Sequence, residues 1–393
     1  MIDTTYSTET LRQLVRINSV NPSLSADGPG EKEIARFICR ELREMNIETE
    51  FDEFAPGRVN VTGIIRGRKS GTGTARSLML NAHMDTVGIT GMENPFSGEI
   101  RDGKLFGRGS YDMKGSIAAI LAAARAVMDQ KIRLDGDLLL TFVADEEYKS
   151  IGATHLMKKI RTNAAVVTEP TGLDVCLAHR GMGVFKITTR GRTAHGGKHK
   201  LGIDANAMMG RILAEVGNLS GEISRRKEHP LCGAGSVHVP LVRGGRSLFI
   251  YANECVAHVE LRTLPGETEQ TVREDLQQIL VKLKQEDPMF DAALETVIWQ
   301  SPYEIDRSAS IVKMAEEAVS MVLQEPPKYI GHTWWEDSAI FGEAGIETVI
   351  LGPDGGGIHE EVEWVALESV HQLSRILLRL AERCCGSAVS QNT

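Results

Sequence analysis

The chain has few cysteines, no basic excess and no long apolar run, and each shortage excludes a class of protein. Six cysteines in 393 residues, none in a CxxC pair, do not make a disulfide framework. Cys384 and Cys385 are adjacent and read as two thiols at a fraying helix end, so the expectation is a reduced, cytoplasmic protein. Lys and Arg number 44 against 53 Asp and Glu, a net charge of −9. A mildly acidic chain without a basic block is a poor partner for nucleic acid or an anionic membrane. No uncharged apolar run approaches the ~18–20 residues that cross a bilayer. The first residues, Met1-Ile2-Asp3-Thr4-Thr5, have neither the basic nor the apolar region of a signal peptide. No internal repeat or low-complexity segment is visible. What remains is 42% hydrophobic and 25% charged, the composition of an ordinary globular chain rather than a disordered, collagen-like or coiled-coil one. At about 150 residues per domain the length suggests two to three domains.

Apolar periodicity organises the first half. Residues 10–17 and 31–45 repeat apolar side chains at helical spacing, the second through Ile34, Phe37, Ile38 and Leu42. Residues 59–65, 77–80, 138–143 and 164–167 are short apolar runs that read as strands, and the alanine-rich stretch 115–128 reads as a helix between them. Alternation of this kind predicts an α/β fold, a central mixed sheet flanked by helices. The middle changes character. Residues 184–189 and 255–262 alternate with period two, while 204–216 and 267–284 read as helices, the first with Asp204 as N-cap and the second punctuated by Pro265-Gly266. An inserted α+β domain is expected over 181–293, inside a discontinuous domain formed by 1–180 and 294–393. In the latter a helix is expected over 308–323, a strand over 348–351 and a helix over 364–380, and the polar tail 386–393 is expected to fray.

Polar residues collect where the apolar runs end, the place where open α/β sheets bind ligands. His83-Met84-Asp85 follows one run, Asp145-Glu146-Glu147 another, and Thr168-Glu169-Pro170 a third. Asp112 follows Phe106-Gly107-Arg108-Gly109-Ser110-Tyr111, and His359 follows Gly352-Pro353-Asp354-Gly355-Gly356-Gly357-Ile358. Singly, each has an ordinary alternative: a structural histidine, an N-cap at Asp112, a solvated turn at Glu146-Glu147, loop positions at Glu169 and His359. Together they are several carboxylates at one end of one sheet, which repel unless protons or cations compensate. Imidazole with carboxylate suits zinc, cobalt or manganese better than calcium or magnesium. Asp112, Glu147 and Glu169 with one hydroxide balance two divalent ions, with His83 and His359 neutral and Glu146 left over as a base. The balance is consistent with a two-metal hydrolase.

From the first helices to His359 and Glu363 the chain closely resembles the acetylornithine deacetylase, succinyl-diaminopimelate desuccinylase, aminoacylase and carboxypeptidase G family of di-zinc hydrolases. The most specific stretch runs from Asn94-Pro95-Phe96 through Gly103-Lys104-Leu105-Phe106-Gly107-Arg108-Gly109-Ser110-Tyr111-Asp112-Met113-Lys114-Gly115. The resemblance implies a metal-dependent amidohydrolase or metallopeptidase. Asp112 would bridge two divalent ions, one completed by His83 and Glu169, the other by Glu147 and His359; Zn is expected, Co or Mn possible. Asp85 would hold the His83 imidazole through its carboxylate. Glu146 would act as general base, taking the proton from the metal-bridging water to leave the attacking hydroxide and passing it to the leaving nitrogen. The Asp112–Met113 peptide is a candidate for the cis form.

For the inserted domain the resemblance implies a lid and dimerisation role, hence a homodimer. His195, in Gly191-Arg192-Thr193-Ala194-His195, would reach a partner subunit's oxyanion, and Arg262 would bind a substrate carboxylate. The expected substrate is a small N-acyl amino acid, with a dipeptidase or carboxypeptidase on a short peptide as the alternative and a non-catalytic metal-binding member behind both. Two departures bear on this. His199 stands where relatives usually have proline, and Phe249-Ile250-Tyr251-Ala252 where they often have Asn-x-x-Pro, removing a polar contact near the reacting group. Trp334-Trp335 either line an apolar side of the substrate pocket or pack beneath the metal loop.

Overall fold

The computed structural model describes residues 1–226 and 228–386. They divide into two compact units: Met1–Leu177 with Ile305–Ile330 and the residues from Glu336 onward, and Ala178–Glu304 with Gly331–Trp335.

The first unit is built on a mixed sheet. From one edge its strands are Glu48–Ala55, Arg58–Ile65, Leu138–Val143, Leu78–His83, Ala164–Val167, Glu347–Ile350 and Val175–His179, the last running on into the second unit. Leu78–His83 lies parallel to both Leu138–Val143 and Ala164–Val167, and Glu347–Ile350 is parallel to Ala164–Val167. These four strands therefore end at the same edge, just before His83-Met84-Asp85, Asp145-Glu146-Glu147, Thr168-Glu169 and the glycine-rich 352–357 segment. Their central positions are fully buried, as a sheet covered on both faces requires.

The helices follow from the same patterning. Thr4–Arg16 is capped by Asp3, whose carboxylate accepts the Tyr6 N–H, and buries Leu11, Leu14 and Val15. Lys32–Glu44 buries Ile34, Phe37, Ile38 and Leu42, one apolar stripe. Gly115–Asp129 is buried on nearly every face, and its alanines let Thr4–Arg16 and Leu367–Cys385 pack close on either side. Asp112 is not its N-cap, since no side chain caps this helix.

Two sequence expectations fail at the C-terminal end. Trp364–Ala366 is a strand, and the helix begins only at Leu367. Trp364 pairs with Phe106 and Ala366 with Lys104, so the ladder satisfies backbone groups that a first helical turn would leave open. This four-stranded ribbon also contains Gly355–Gly356 and Glu99–Arg101. Cys384 and Cys385 do not fray: both are buried, and the Cys385 carbonyl accepts the N–H groups of Asp135 and Gly136 at 2.7 and 3.0 Å. Of the tail expected to fray, residues 387–393 lie outside the described residues.

The second unit is one antiparallel sheet in the order Ser236–Gly244, Glu254–Thr263, Gly181–Arg190, Ala292–Gln300. The two middle strands alternate buried and half-buried residues along their length, the period-two signal of a sheet with one covered face. Helices Ala205–Ile223 and Glu269–Glu286 supply the other side of the core, with Met209, Ile212, Leu276 and Leu283 against Phe185, Ala257 and Val259. Asp204 caps the first helix by accepting from Asn206 and Ala207, and Thr268 with Thr271 closes a capping box on the second. Ala292–Gln300 pairs along Gly181–Arg190 and so lies in this unit, although the sequence boundary at 293/294 cuts through it.

Candidate metal centre

Five chain segments meet at the carboxyl edge of the parallel strands. Strand Leu78–His83 delivers His83, which is buried. Asp145, Glu146 and Glu147 follow strand Leu138–Val143, and Glu169 stands two residues past Ala164–Val167. Asp112 lies on the turn between Lys104–Phe106 and Gly115–Asp129, beside an Asp112–Met113 peptide that is cis. His359 sits two residues past Gly357, half exposed, at φ 60°.

Asp112 stands between the two imidazoles. Its Oδ1 is 2.9 Å from His83 Nε2, and its Oδ2 is 3.2 Å from His359 Nε2. On the first side Glu169 Oε1 is 3.5 Å from His83 Nε2; on the second, Glu147 Oε2 is 3.0 Å from His359 Nε2. Ligand atoms of His83, Asp112 and Glu147 lie within 4.8 Å of one another, and so do those of His83, Glu146 and Glu169. Tetrahedral donors at the ~2.0–2.1 Å of a zinc ligand stand about 3.3 Å apart, a spacing that the observed contacts bracket. Glu147 Oε1 is buried and has no hydrogen-bond partner, a cost a protein bears where a cation supplies the missing interaction. The donor set fits two divalent ions of the imidazole-and-carboxylate class.

The electrostatics agree with a site built for positive charge. Burial, then the charges around it, raises Glu147 to about 7, with Asp112 the first neighbour responsible. Burial followed by the Glu169 charge pushes Glu146 well above the usual carboxylate range, and burial with Asp112 does the same to Glu169. Burial works against a charge on His83, but Glu169 and Asp112 outweigh it and hold the imidazole's pKa well above its ordinary value. Hydrogen bonds to Asp112 and Glu147 lift His359 to about 10. Burial opposes it, yet hydrogen bonds from His359 and His83 hold Asp112 below the usual carboxylate range. Three glutamates resisting ionisation beside imidazoles resisting neutrality mark a surplus of buried negative charge.

Asp85 is placed differently from the sequence expectation. His83 Nδ1 is 2.9 Å from the Asp85 main-chain carbonyl, whereas the Asp85 carboxylate is 3.8 Å away. The carbonyl therefore holds the imidazole. The carboxylate instead accepts the N–H groups of Glu146 at 3.1 Å and Glu147 at 3.2 Å, and the Asn21 side-chain amide at 2.8 Å. It aims the acidic loop and not the ring. A neighbour two residues away on the chain reads equally well as either contact, and only the backbone path separates them.

Glu363 has a role that the sequence pattern does not assign. Its carboxylate accepts from Arg108 Nη1 at 2.7 Å and from the N–H groups of Gly109, Tyr111 and Asp112 at 2.9, 2.9 and 3.1 Å. Gly109 sits at φ +77° with an added Cβ only 2.6 Å from Thr86 Cγ2, so glycine is required where the turn presents its N–H. Its place four residues past His359 is the one signal the sequence offers.

The remaining expected residues belong to the second unit. His195 is exposed; its backbone bridges Ile250 and its Nδ1 accepts the Gly197 N–H at 3.1 Å. Gly196 donates to Phe249 and Tyr251 to Ala194, so the 249–251 segment lies alongside His195 with Phe249 exposed. His199 is exposed. Arg262, on Glu254–Thr263, donates from Nε to Glu260 at 2.8 Å. Trp335 is buried and donates to the Ser301 carbonyl, while Trp334 stacks on His332 with ring centroids 4.2 Å apart.

No helix of the described residues is long and apolar enough to cross a membrane. The chain is 25% identical over 387 residues to N-formyl-4-amino-5-aminomethyl-2-methylpyrimidine deformylase of Bacillus subtilis, covering 91% of this chain and 90% of that protein. It is 27% identical over 345 residues to acetylornithine deacetylase of Myxococcus xanthus, covering 85% and 86%. The fold is shared with aminopeptidase PepT of Bacillus cereus, at TM-score 0.78, 18% identity, and coverage of 98% and 99%. It is shared equally with a dinuclear metal-binding peptidase of Bacillus subtilis, at TM-score 0.75, 18% identity, and coverage of 98% and 99%. The model of peptidase family M20/M25/M40 matches residues 79–383. That span holds every residue of the cluster around Asp112, and the chain belongs to the M20/M25/M40 peptidase family, as a hydrolase of carbon–nitrogen bonds.

Proposed function

We propose that the chain deacylates small N-acyl amino acids, with Asp112 bridging two zinc ions, His83 and Glu169 completing one and Glu147 and His359 the other. The observation that carries this reading is the Asp112 carboxylate, each oxygen turned to a different histidine at 2.9 and 3.2 Å. Bound there, the two ions would polarise the scissile carbonyl and lower the pKa of a water between them. Glu146 is held at the same edge by its N–H on Asp85. Its carboxylate takes the proton of the attacking water and delivers it to the leaving nitrogen. His195, from a second copy of the chain, stabilises the oxyanion, and Arg262 pairs with the substrate carboxylate once Glu260 releases it. Support for the last two is the sequence motif and the fork geometry of a guanidinium. Amide deacylation is what the names of the Bacillus subtilis deformylase and the Myxococcus xanthus deacetylase describe, and it is favoured over peptide cleavage for that reason. Six cysteines in a chain of this length, none in a CxxC pair, suit a reduced, cytoplasmic setting.

The test is metal content and turnover measured together. Protein stripped by chelator and reloaded with Zn²⁺, Co²⁺ or Mn²⁺ meets a panel of N-formyl, N-acetyl and N-succinyl amino acids and dipeptides. Turnover that disappears on stripping and returns near two metals per chain, best on an N-acyl amino acid, is expected. Preference for dipeptides would replace the deacylase reading with a dipeptidase. Absence of bound metal would overturn the ligand assignment.

A further inference from the structure

Behind the acidic loop lies a buried polar group that the proposed reaction does not use. Arg58, at the start of strand Arg58–Ile65, is buried, as are Asn21, Glu31, Asp85 and Asp145. Its Nη2 donates to Asp145 Oδ1 at 2.8 Å, Asn21 Oδ1 at 2.9 Å and Ser23 Oγ at 2.6 Å. Nη1 donates to Glu31 Oε1 at 2.5 Å. Asn21 passes the link on, donating from Nδ2 to Asp85 Oδ2 at 2.8 Å and Asp145 Oδ1 at 3.0 Å. Asp85 in turn accepts the N–H groups of Glu146 and Glu147.

The network ends on the two residues that matter most. Asp145, directly before Glu146, sits at φ 70°, a left-handed conformation that a non-glycine residue adopts at a cost. Its carbonyl accepts the N–H groups of Lys149 and Ser150, closing the turn that carries Glu146 and Glu147. The guanidinium grips the side chain of that same Asp145, and through Asn21 it orients the carboxylate that holds the next two N–H groups. We infer that Arg58, acting through Asp145 and through Asn21–Asp85, is a positioning residue for Glu146 and Glu147. Its hydrogen bonds go to Asp145, Asn21, Ser23 and Glu31, none of them a proposed metal ligand. The assignment rests on the metal reading above and deepens it.

The geometry also supplies a control. Glu31 meets Arg58 from the Nη1 side and makes no contact with Asp145, Asn21 or Asp85 in the network just described. Glu31→Gln retains an acceptor there and leaves the Nη2 links intact. Arg58→Lys keeps the charge but loses the planar fork whose Nη1 reaches Glu31 while Nη2 reaches Asp145, Asn21 and Ser23. Asn21→Ser removes the amide that bridges Arg58 to Asp85 without removing a buried charge, and it decides the matter if Arg58→Lys does not fold.

The full chain, wild type and variants, is loaded with Zn²⁺ under competition to measure affinity, and separately with Co²⁺, whose visible absorption reports ligand geometry. Arg58→Lys and Asn21→Ser are expected to weaken Zn²⁺ binding by about 10–100-fold, the usual effect of losing a partner behind the ligands. They are expected to alter the Co²⁺ spectrum and to lower kcat by more than KM on the best panel substrate. Glu31→Gln is expected to stay within about twofold of wild type in affinity and kcat, with an unchanged spectrum. Affinity and spectrum unchanged in both Arg58→Lys and Asn21→Ser would overturn the inference, as would equal damage from Glu31→Gln. Wild type that binds no metal would instead overturn the metal reading, and this assignment with it.

Discussion

The Glu363 carboxylate accepts the main-chain N–H of Asp112 at 3.1 Å, although 251 residues separate the two. Its other bonds go to Tyr111, Gly109 and Arg108. One side chain thus pins the turn that presents the proposed bridging ligand, and it does so by holding backbone, which fixes direction more firmly than a contact to a flexible side chain. Glu363→Ala leaves Arg108 Nη1 and three N–H groups without their acceptor, and the buried guanidinium without its counter-charge, holding only the Gly88 and Glu360 carbonyls. A loss of about 3–5 kcal/mol is expected for an uncompensated buried charge of this kind, read by chemical denaturation. A loss below about 1 kcal/mol, the range of exposed ion pairs, would show that Glu363 does not hold the turn.

Glu146→Gln keeps the shape and the Asp85 hydrogen bond to the backbone but removes the base. Turnover is expected to fall by at least about 10²–10⁴-fold while bound metal, counted by atomic spectroscopy, stays at the wild-type ratio. Loss of metal along with activity would place Glu146 among the ligands, a role its distance to His83 and Glu169 also permits.

Removing metal should destabilise the first unit. Glu147, Glu169 and Asp112 would be left sharing a buried space with no cation but protons. Ions held at 100 times their dissociation constant contribute about 2.7 kcal/mol per site to the folded state. Scanning calorimetry with and without chelator is expected to show a lower Tm in the stripped protein, restored by Zn²⁺ or Co²⁺. An unchanged Tm would mean that the cluster binds no metal in the folded state.

Glu31 gives a pH signature away from the metal residues. Burial, with the Asp85 charge next, raises its pKa to about 7 despite Arg58. Between about 4.5 and 7 the folded protein therefore keeps a proton that the unfolded chain has released. The stabilisation from that proton is complete at low pH and is lost as the pH rises through the folded pKa. Glu31→Gln should remove this decline, which at about 1.4 kcal/mol per unit amounts to a few kcal/mol. Denaturation midpoints of wild type and variant at pH 5 and pH 8 check it. Parallel losses in both proteins would show that Glu31 is ionised throughout.

Much of the site was legible because it hangs on local pattern. His83, Glu146, Glu147 and Glu169 each follow an apolar run, and such runs make parallel strands whose ends coincide. Asp112 and His359 were marked by glycines. The Asp204 cap and the alternating strands of the second unit were equally local signals. Trp364 shows the same locality in reverse: its neighbours fit a helical period, and only the Phe106 strand across from it makes a ladder the better use of its backbone. Arg58 carried no signal at all. An arginine at a strand start reads as solvated, and its acceptor Asp145 lies 87 residues further on.

The amino-acid sequence by itself determined the elements, the alternation of strands and helices, and the type of chemistry available at the strand ends. Those follow from short-range sterics and from the burial of apolar faces, which neighbouring residues specify. Tertiary structure alone decided that Asp85 holds the loop with its carboxylate and the imidazole with its carbonyl. It alone set Glu363 beneath Asp112 and turned Arg58 inward to Asp145. Hydrogen-bond partners are chosen by distance and direction in space, to within a few tenths of an ångström, and no spacing along the chain encodes that.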